Sequence, residues 1–142
     1  MSAPTIDSPM GRAALARRWP TWLGIALVAL LVVTGLRTDF ADGIVVAAIV
    51  YWAWGAVRGQ LWRPGWLTLE TAGVGAFGAL TLAAVSMAAE PARYLLAAGW
   101  LAHAAWDVAH HRANRIVPRW YAECCAVVDV LLAAAILALP AT

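Results

Sequence analysis

The sequence is poor in charged residues and contains no lysine at all. Only 13% of its 142 residues are charged and 63% are hydrophobic, whereas a soluble domain carries about 25% charged residues. A domain this small leaves much of its surface in contact with solvent, so one core cannot bury all of this apolar surface. The ten basic residues are all arginine and lie between apolar runs. The composition therefore indicates a membrane protein and argues against nucleic-acid binding.

Cysteine and histidine are also scarce, and both are confined to short stretches. Cys124 and Cys125 are adjacent, and neighbouring residues rarely meet the geometry of a disulfide, so we expect free thiols. All three histidines fall within residues 103–112, HAAWDVAHHR. This concentration of polar side chains in an apolar chain makes the stretch the first candidate for a functional site.

Five apolar runs are close to the length of a membrane-spanning helix, about 17–25 residues. They cover residues 19–36, 43–57, 66–87, 91–111 and 121–139. The second run is short, so its helix either tilts little or begins before Asp42. Short connections separate the runs, which favours antiparallel neighbours in one bundle. We predict an all-α, multi-pass membrane protein, with residues 1–18 as a cytoplasmic tail and residues 19–142 as a five-helix transmembrane domain.

The arginines predict the orientation of this bundle. Eight of the ten precede the first run or lie in the second and fourth connections, and the other two lie on the opposite side. Basic residues in short loops mark the cytoplasmic side, so we expect the N-terminus inside and the C-terminus outside. The eight are Arg12, Arg17, Arg18, Arg58, Arg63, Arg112, Arg115 and Arg119.

One short motif is a poor guide to function. Residues 73–78 read GVGAFG, which matches the dinucleotide-binding pattern G-x-G-x-x-G. That motif works between a strand and a helix and needs an acidic residue about 20 positions later. Here the glycines lie inside a membrane-length apolar run, where small residues allow helices to approach closely. We interpret them as packing residues.

Helical periodicity places the polar residues of the fourth run on one face. At about 100° per residue, His103, Asp107 and His110 share a narrow face, and His111 lies at its edge. His103 is then about 12 Å below the cytoplasmic end of the helix. The fifth run carries Cys125 and Asp129 on a common face at matching depths, and Glu70 enters from the third run. The side chains expected to converge in the cytoplasmic leaflet are Glu70, His103, Asp107, His110, Cys125 and Asp129.

The leading interpretation of this set is a metal site. His103, Asp107, His110 and Cys125 would be ligands, and Asp129 a ligand or an orienting residue. Imidazole, carboxylate and thiolate suit zinc best, with iron or copper less suitable. Such a metal would activate water or polarise a carbonyl of a lipid-like substrate. Glu70 and Asp129 are the candidate acid–base residues of such a membrane-embedded enzyme.

Two other interpretations stay open. A histidine–aspartate couple without metal would relay protons or act as an acid and base. Alternatively, pairs such as His103–Asp129 would hold helices together, and the protein would be a non-enzymatic structural or accessory subunit, or a metal or proton carrier. Five short spans enclose little space, so we expect a homo-oligomer or a subunit of a membrane complex.

The C-terminal third of the chain carries a compound motif. It reads H-x3-D-x2-H-H with Trp106 before the aspartate, then Val117-Pro118, then C-x3-D from Cys125 to Asp129. Over about the last 40 residues the chain resembles a family of small bacterial integral membrane proteins of unknown function. The resemblance implies a bacterial inner-membrane location and a histidine, aspartate and cysteine set that belongs together. It implies no activity.

Overall fold

The computed structural model describes residues 15–34 and 40–138, and within these ranges the protein is helical and has no strand. The predicted tail is described only from residue 15 onward, where residues 15–17 form a short helical segment. Five longer helices follow, at the positions that the apolar runs predict. They are α1 (Trp19–Thr34), α2 (Phe40–Val57), α3 (Trp66–Val85), α4 (Ala89–Ala113) and α5 (Arg119–Ala138).

The helix ends differ from the predicted ones by a few residues. The second helix begins at Phe40, before Asp42, as one of the two expectations has it. The fourth begins at Ala89 rather than at Pro91, because proline is tolerated in the first turn, where its missing N–H has no acceptor within the helix. It ends at Asn114, whose φ of 51° is left-handed.

The fourth and fifth helices form the centre of the bundle. The second packs on the third and fourth, and the third also packs on the fourth. The first packs only on the fifth among the described helices, so α1 and α2 follow one another in the chain without contact. Two features hold α1 against α5. Thr21 Oγ1 donates a 2.6 Å hydrogen bond to Glu123, and a Cβ added at Gly24 would lie 2.9 Å from the carbonyl oxygen of Cys124.

The glycines of residues 73–78 lie in the interior of α3, so the strand-to-helix context of a dinucleotide site is absent from this stretch. A Cβ added at Gly73 would lie 3.0 Å from the indole of Trp106 on α4. Gly75, in contrast, has no neighbour within 4 Å of an added Cβ. The packing interpretation therefore holds at Gly73, where α3 and α4 meet.

The connections at the arginine-rich end of the bundle are tied together through Ile116. This residue is fully buried and has a φ of 67°, a conformation that a β-branched residue rarely adopts. Its N–H donates to Gln60 Oε1 at 2.6 Å, and its carbonyl accepts from Arg58 Nη1 at 3.2 Å. Both partners follow α2, so this pair of bonds, which we call the Ile116 clamp, joins the α2–α3 and α4–α5 connections.

Two of the described helices, Trp66–Val85 and Arg119–Ala138, are long and apolar enough to cross a membrane. Trp19–Thr34 and Ala41–Val57 are apolar but shorter. The fourth helix has 25 residues and is more polar than the others, because it carries Glu90, Arg93, Asp107 and the histidines. Only 28% and 33% of the apolar windows in α3 and α5 are buried inside the bundle, so most of their apolar surface faces outward.

Candidate metal centre

Three polar side chains meet in the middle of the bundle, where α4 faces α5. His103 Nδ1 lies 2.7 Å from Asp129 Oδ2 and 3.6 Å from Asp107 Oδ1. His103 and Asp107 are fully buried, and Asp129 is 2% exposed. One potential ligand atom from each residue lies within 4.8 Å of the others. This group, which we call the His103 cluster, could hold a metal ion.

The periodicity of the two helices explains this meeting. His103 and Asp107 are one turn apart and so project from the same face of α4. Asp129 lies at the centre of α5, ten residues after Arg119. His103 lies ten residues, about 15 Å, from the last residue of α4, so the two positions match in depth. Equal depth on antiparallel neighbouring helices brings the imidazole and the carboxylate together.

The His103 cluster contains polar atoms without a hydrogen-bond partner. Both carboxylate oxygens of Asp107 and the Nε2 atom of His103 are buried and unpaired, and so is Tyr51 Oη next to them. Tyr51 interacts with Asp107, but no hydrogen bond of ordinary geometry joins them. Buried polar groups are paired in most proteins. Several unpaired atoms at one point fit a bound ligand, and they also fit a proton shared between Asp107 and Asp129, whose side chains interact.

The charge of the cluster leads to the same expectation. It contains two carboxyl groups, and in the described part of the chain their only ion-pair partner is His103. Buried carboxylates are normally paired with cations or coordinate metals. One imidazole can supply at most one positive charge to two carboxylates. A divalent cation, or protons held by the acids, would complete the balance.

His110 lies apart from this cluster and pairs with Glu70 on α3. Its Nε2 lies 2.7 Å from Glu70 Oε1, and its Nδ1 donates to the carbonyl oxygen of Trp106 at 2.9 Å. Both residues are buried. With both ring nitrogens occupied, His110 has no nitrogen directed at a metal in this arrangement. The six residues grouped by sequence thus divide into the His103 cluster and a Glu70–His110 pair.

Tyr51 lies between these two groups and is not among the site residues that the sequence predicts. Its ring is fully buried and stands edge-on to His103 and His110, with centroid distances of 5.8 and 5.1 Å. A signal for it was available in the sequence. Tyrosines of membrane helices concentrate at the two interfaces, whereas Tyr51 lies six residues inside the end of α2.

The two cysteines are free thiols, as expected from their adjacency. Cys125 is half-buried and interacts with Tyr121 one turn earlier, and it is not in the group of three that could hold a metal. Cys124 is buried against α1. Glu123 and His111 lie elsewhere, near Arg18, where the closest His111–Glu123 atoms are 4.0 Å apart.

Comparison of the chain with known proteins gives no relative from which to argue. No family model, curated protein or solved structure matches it. The resemblance to small bacterial membrane proteins therefore stays a prediction.

Proposed function

We propose that the protein is a five-span membrane protein of the bacterial inner membrane, with its N-terminus in the cytoplasm. The support is the outward-facing apolar surface. Large apolar side chains are exposed on every helix, as at Val33, Val57 and Leu82, which are 84%, 88% and 67% exposed. Contiguous apolar surface of this extent is unfavourable in water. Lipid would cover it, and α1, α2 and α4 would then cross the membrane beside α3 and α5.

Within this bundle, we propose that His103, Asp107 and Asp129 bind a metal ion. The observation that carries the proposal is the meeting of three buried donor groups with unpaired atoms at Asp107 and His103. Zinc is the first candidate, because it accepts histidine nitrogen and carboxylate oxygen, and catalytic zinc sites combine three protein ligands with one open position. One histidine and two carboxylates do not match the two-histidine set of non-haem iron.

The chemistry would be hydrolysis of a lipid-like substrate. A zinc ion bound here would supply a Lewis acid and an activated water. Tyr51 Oη, unpaired beside Asp107, would donate a hydrogen bond to the substrate oxygen on which charge develops. Asp129 would orient the imidazole of His103 through Oδ2, which lies 2.7 Å from Nδ1, and would bind the metal through its other oxygen. The Glu70–His110 pair, 2.7 Å between its closest atoms, would accept and return protons from the arginine-rich side.

A second candidate is non-enzymatic, and a specific observation favours it. Each buried histidine already contacts an acid on a different helix at 2.7 Å, His103 with Asp129 and His110 with Glu70. Such contacts hold membrane helices together. His103 and Asp107 are also fully buried, so a substrate would reach them only if helices separated. In this candidate the protein is a structural or accessory subunit, or a carrier of metal or protons.

Metal analysis of the purified full-length protein separates a metal centre from a His103 cluster that only pairs helices. The wild-type protein is incubated with zinc, washed, and its metal content measured per chain. We expect about one metal ion per chain, retention in His111→Ala, and loss in His103→Ala. His111 is a matched control because it lies on the same helix but outside the cluster.

Helical content is measured on the same samples by circular dichroism. If His103→Ala does not fold, Asp107→Asn replaces it, because this change keeps the volume of the side chain and removes its charge. Folded wild-type protein that holds no stoichiometric metal after incubation contradicts the metal centre. In that case the helix-pairing candidate is retained.

A further inference from the structure

A groove of about 460 Å³ runs along the outside of the bundle, away from the His103 cluster. Its walls are α1 and α4, which both flank α5 without touching one another among the described residues. Its floor is α5, at Ala122, Ala126 and Val127. The groove has the volume of a small-molecule site. Asp129 projects from another face of α5, and neither it nor His103 lines the groove.

The groove is polar at one end and apolar along the rest. The polar end contains Arg18, Thr21, His111 and Glu123, and the apolar part contains Ile25, Val108, Val130 and Leu131. Ile25, Val108 and Val130 are 39%, 38% and 48% exposed. The polar end lies where the arginine-rich connections are, and the apolar part runs toward the middle of the bundle. The polar and apolar parts of the groove therefore match those of an amphiphile that lies parallel to the helices.

The charges at the polar end favour an anionic head group. Glu123 is already satisfied, because it accepts from Thr21 at 2.6 Å and has Arg18 at 3.8 Å and His111 at 4.0 Å. The Arg18 side chain remains 73% exposed at this distance, so its guanidinium donors can reach a phosphate. Glu123 thus holds the Arg18 guanidinium and the His111 imidazole at the groove mouth.

Two further arginines flank this end by helical register. Arg112 is one turn after Val108, and Arg119 is one turn before Glu123, so each shares a face with a groove residue. Both are exposed, and neither forms an ion pair with a described residue. Clusters of arginine on the cytoplasmic side of membrane helices bind anionic lipid head groups. The local excess of positive charge therefore favours a head group of net negative charge over a zwitterionic one.

We infer that the groove between α1 and α4 binds an anionic phospholipid, with its phosphate at Arg18 and Arg119 and one acyl chain along Ile25 and Val130. The inference rests on the membrane location proposed above but is independent of any metal. The lipid would fill the gap that α1 and α4 leave over α5. It would hold α1, the helix with the fewest protein neighbours, against the bundle.

The test uses the full-length protein, delipidated in a neutral detergent. Phosphatidylglycerol, phosphatidylcholine or inorganic phosphate is added, and bound lipid is counted by native mass spectrometry together with the Tm. We expect phosphatidylglycerol to be retained and to raise the Tm more than phosphatidylcholine does. Inorganic phosphate alone should have no effect, because it lacks the acyl chain.

Two variants separate the head group from the chain. Arg18→Gln with Arg119→Gln should weaken phosphatidylglycerol binding about 25-fold, at about fivefold per arginine, and abolish the preference over phosphatidylcholine. Ala126→Phe should fill the groove floor and reduce the retention of both lipids. The matched controls are Arg63→Gln, an exposed arginine in the α2–α3 connection, and Ala53→Phe on the exposed face of α2. Both should bind as the wild type does.

Equal retention of the two lipids by the wild-type protein would overturn the inference, as would inorganic phosphate that stabilises it as well as phosphatidylglycerol does. Arginine variants that bind like Arg63→Gln would also overturn it. The arginine variants keep the inference testable if Ala126→Phe fails to fold. Metal content is read in the same spectra, so failure of the metal centre and failure of the lipid site are distinguished.

Discussion

His103 and Asp129 join the two central helices through a contact of 2.7 Å between Nδ1 and a carboxylate oxygen. Asp107, one turn from His103 on the same helix, approaches Nδ1 only to 3.6 Å, and both of its oxygens lack a hydrogen-bond partner. The imidazole thus pairs with the carboxylate of the neighbouring helix rather than with that of its own helix. The nearer acid fixes the ring, and the farther one is left for a ligand.

Breaking this pair should cost stability, and removing both partners should restore part of it. Asp129→Leu leaves the Nδ1–H of His103 buried without an acceptor, so we expect a loss of about 1–3 kcal/mol in the free energy of unfolding. Asp129→Asn keeps an acceptor oxygen and should lose less. The double variant His103→Phe with Asp129→Leu should recover only part of the loss, because apolar residues replace both partners of the pair but Asp107 stays buried without its ion-pair partner. Equilibrium unfolding in detergent measures all three, and additive losses would contradict the pairing.

The Glu70–His110 pair should be needed for stability but not for metal binding. Glu70→Leu leaves His110 Nε2 unpaired inside the bundle, so we expect a loss of about 1–3 kcal/mol. Glu70→Gln keeps a hydrogen-bonding group of the same size and is the matched control. Metal content per chain should equal that of the wild type in both variants. Loss of metal in Glu70→Gln would show instead that His110 or Glu70 belongs to the metal site.

Tyr51→Phe offers a sharper distinction between a structural and a chemical role. The change removes only Oη, which has no hydrogen bond of ordinary geometry, and keeps the ring between His103 and His110. We therefore expect the free energy of unfolding to change by less than about 0.5 kcal/mol. If Oη supports a metal-bound group, zinc affinity should fall about 10- to 100-fold, measured by chelator competition. Unchanged affinity would show that Oη supports no metal-bound group, and would leave only the proposed hydrogen bond from Oη to the substrate.

The positions of the five helices could be predicted because their signals are local. Apolar length, proline and glycine place the helix ends to within a few residues, and periodicity places His103 and Asp107 on one face. The pairing of His103 with Asp129 was open to prediction from matched depth. The pairing of Glu70 with His110 could not be predicted, because it depends on how α3 is rotated about its own axis. That rotation follows from packing, such as the contact of Gly73 with Trp106.

The arrangement of α1 shows a second limit of sequence reasoning. A short connection predicts that consecutive helices pack together, yet α1 packs on α5 and not on α2. The decisive features are Thr21, which bonds to Glu123, and Gly24, which allows close approach to the backbone at Cys124. Neither residue stands out in the sequence, because its structural role depends on a contact with a residue about 100 positions away.

The proposed topology makes a direct prediction about the two termini. Five spans place the N-terminus and the C-terminus on opposite sides of the membrane. A reporter that is active only outside the cytoplasm should therefore be active when fused after Thr142 and inactive when fused before Met1. The same fusions made with a reporter active only in the cytoplasm serve as the control. A cytoplasmic C-terminus would require an even number of spans and would contradict the proposed bundle.

Among the described residues the first two helices have no contact with each other: α1 packs on α5, and α2 packs on α3 and α4. The Ile116 clamp also joins the chain before Arg63 to the chain after it. Arg58 and Gln60 precede Arg63 and form hydrogen bonds with Ile116, which follows α4. Non-covalent contacts therefore connect the part of the chain before this point to the part after it. A gene divided there should yield two polypeptides, residues 1–63 and 64–142, that assemble and co-purify from membranes. The N-terminal piece would have no partner within itself and would depend on its complement for a folded state.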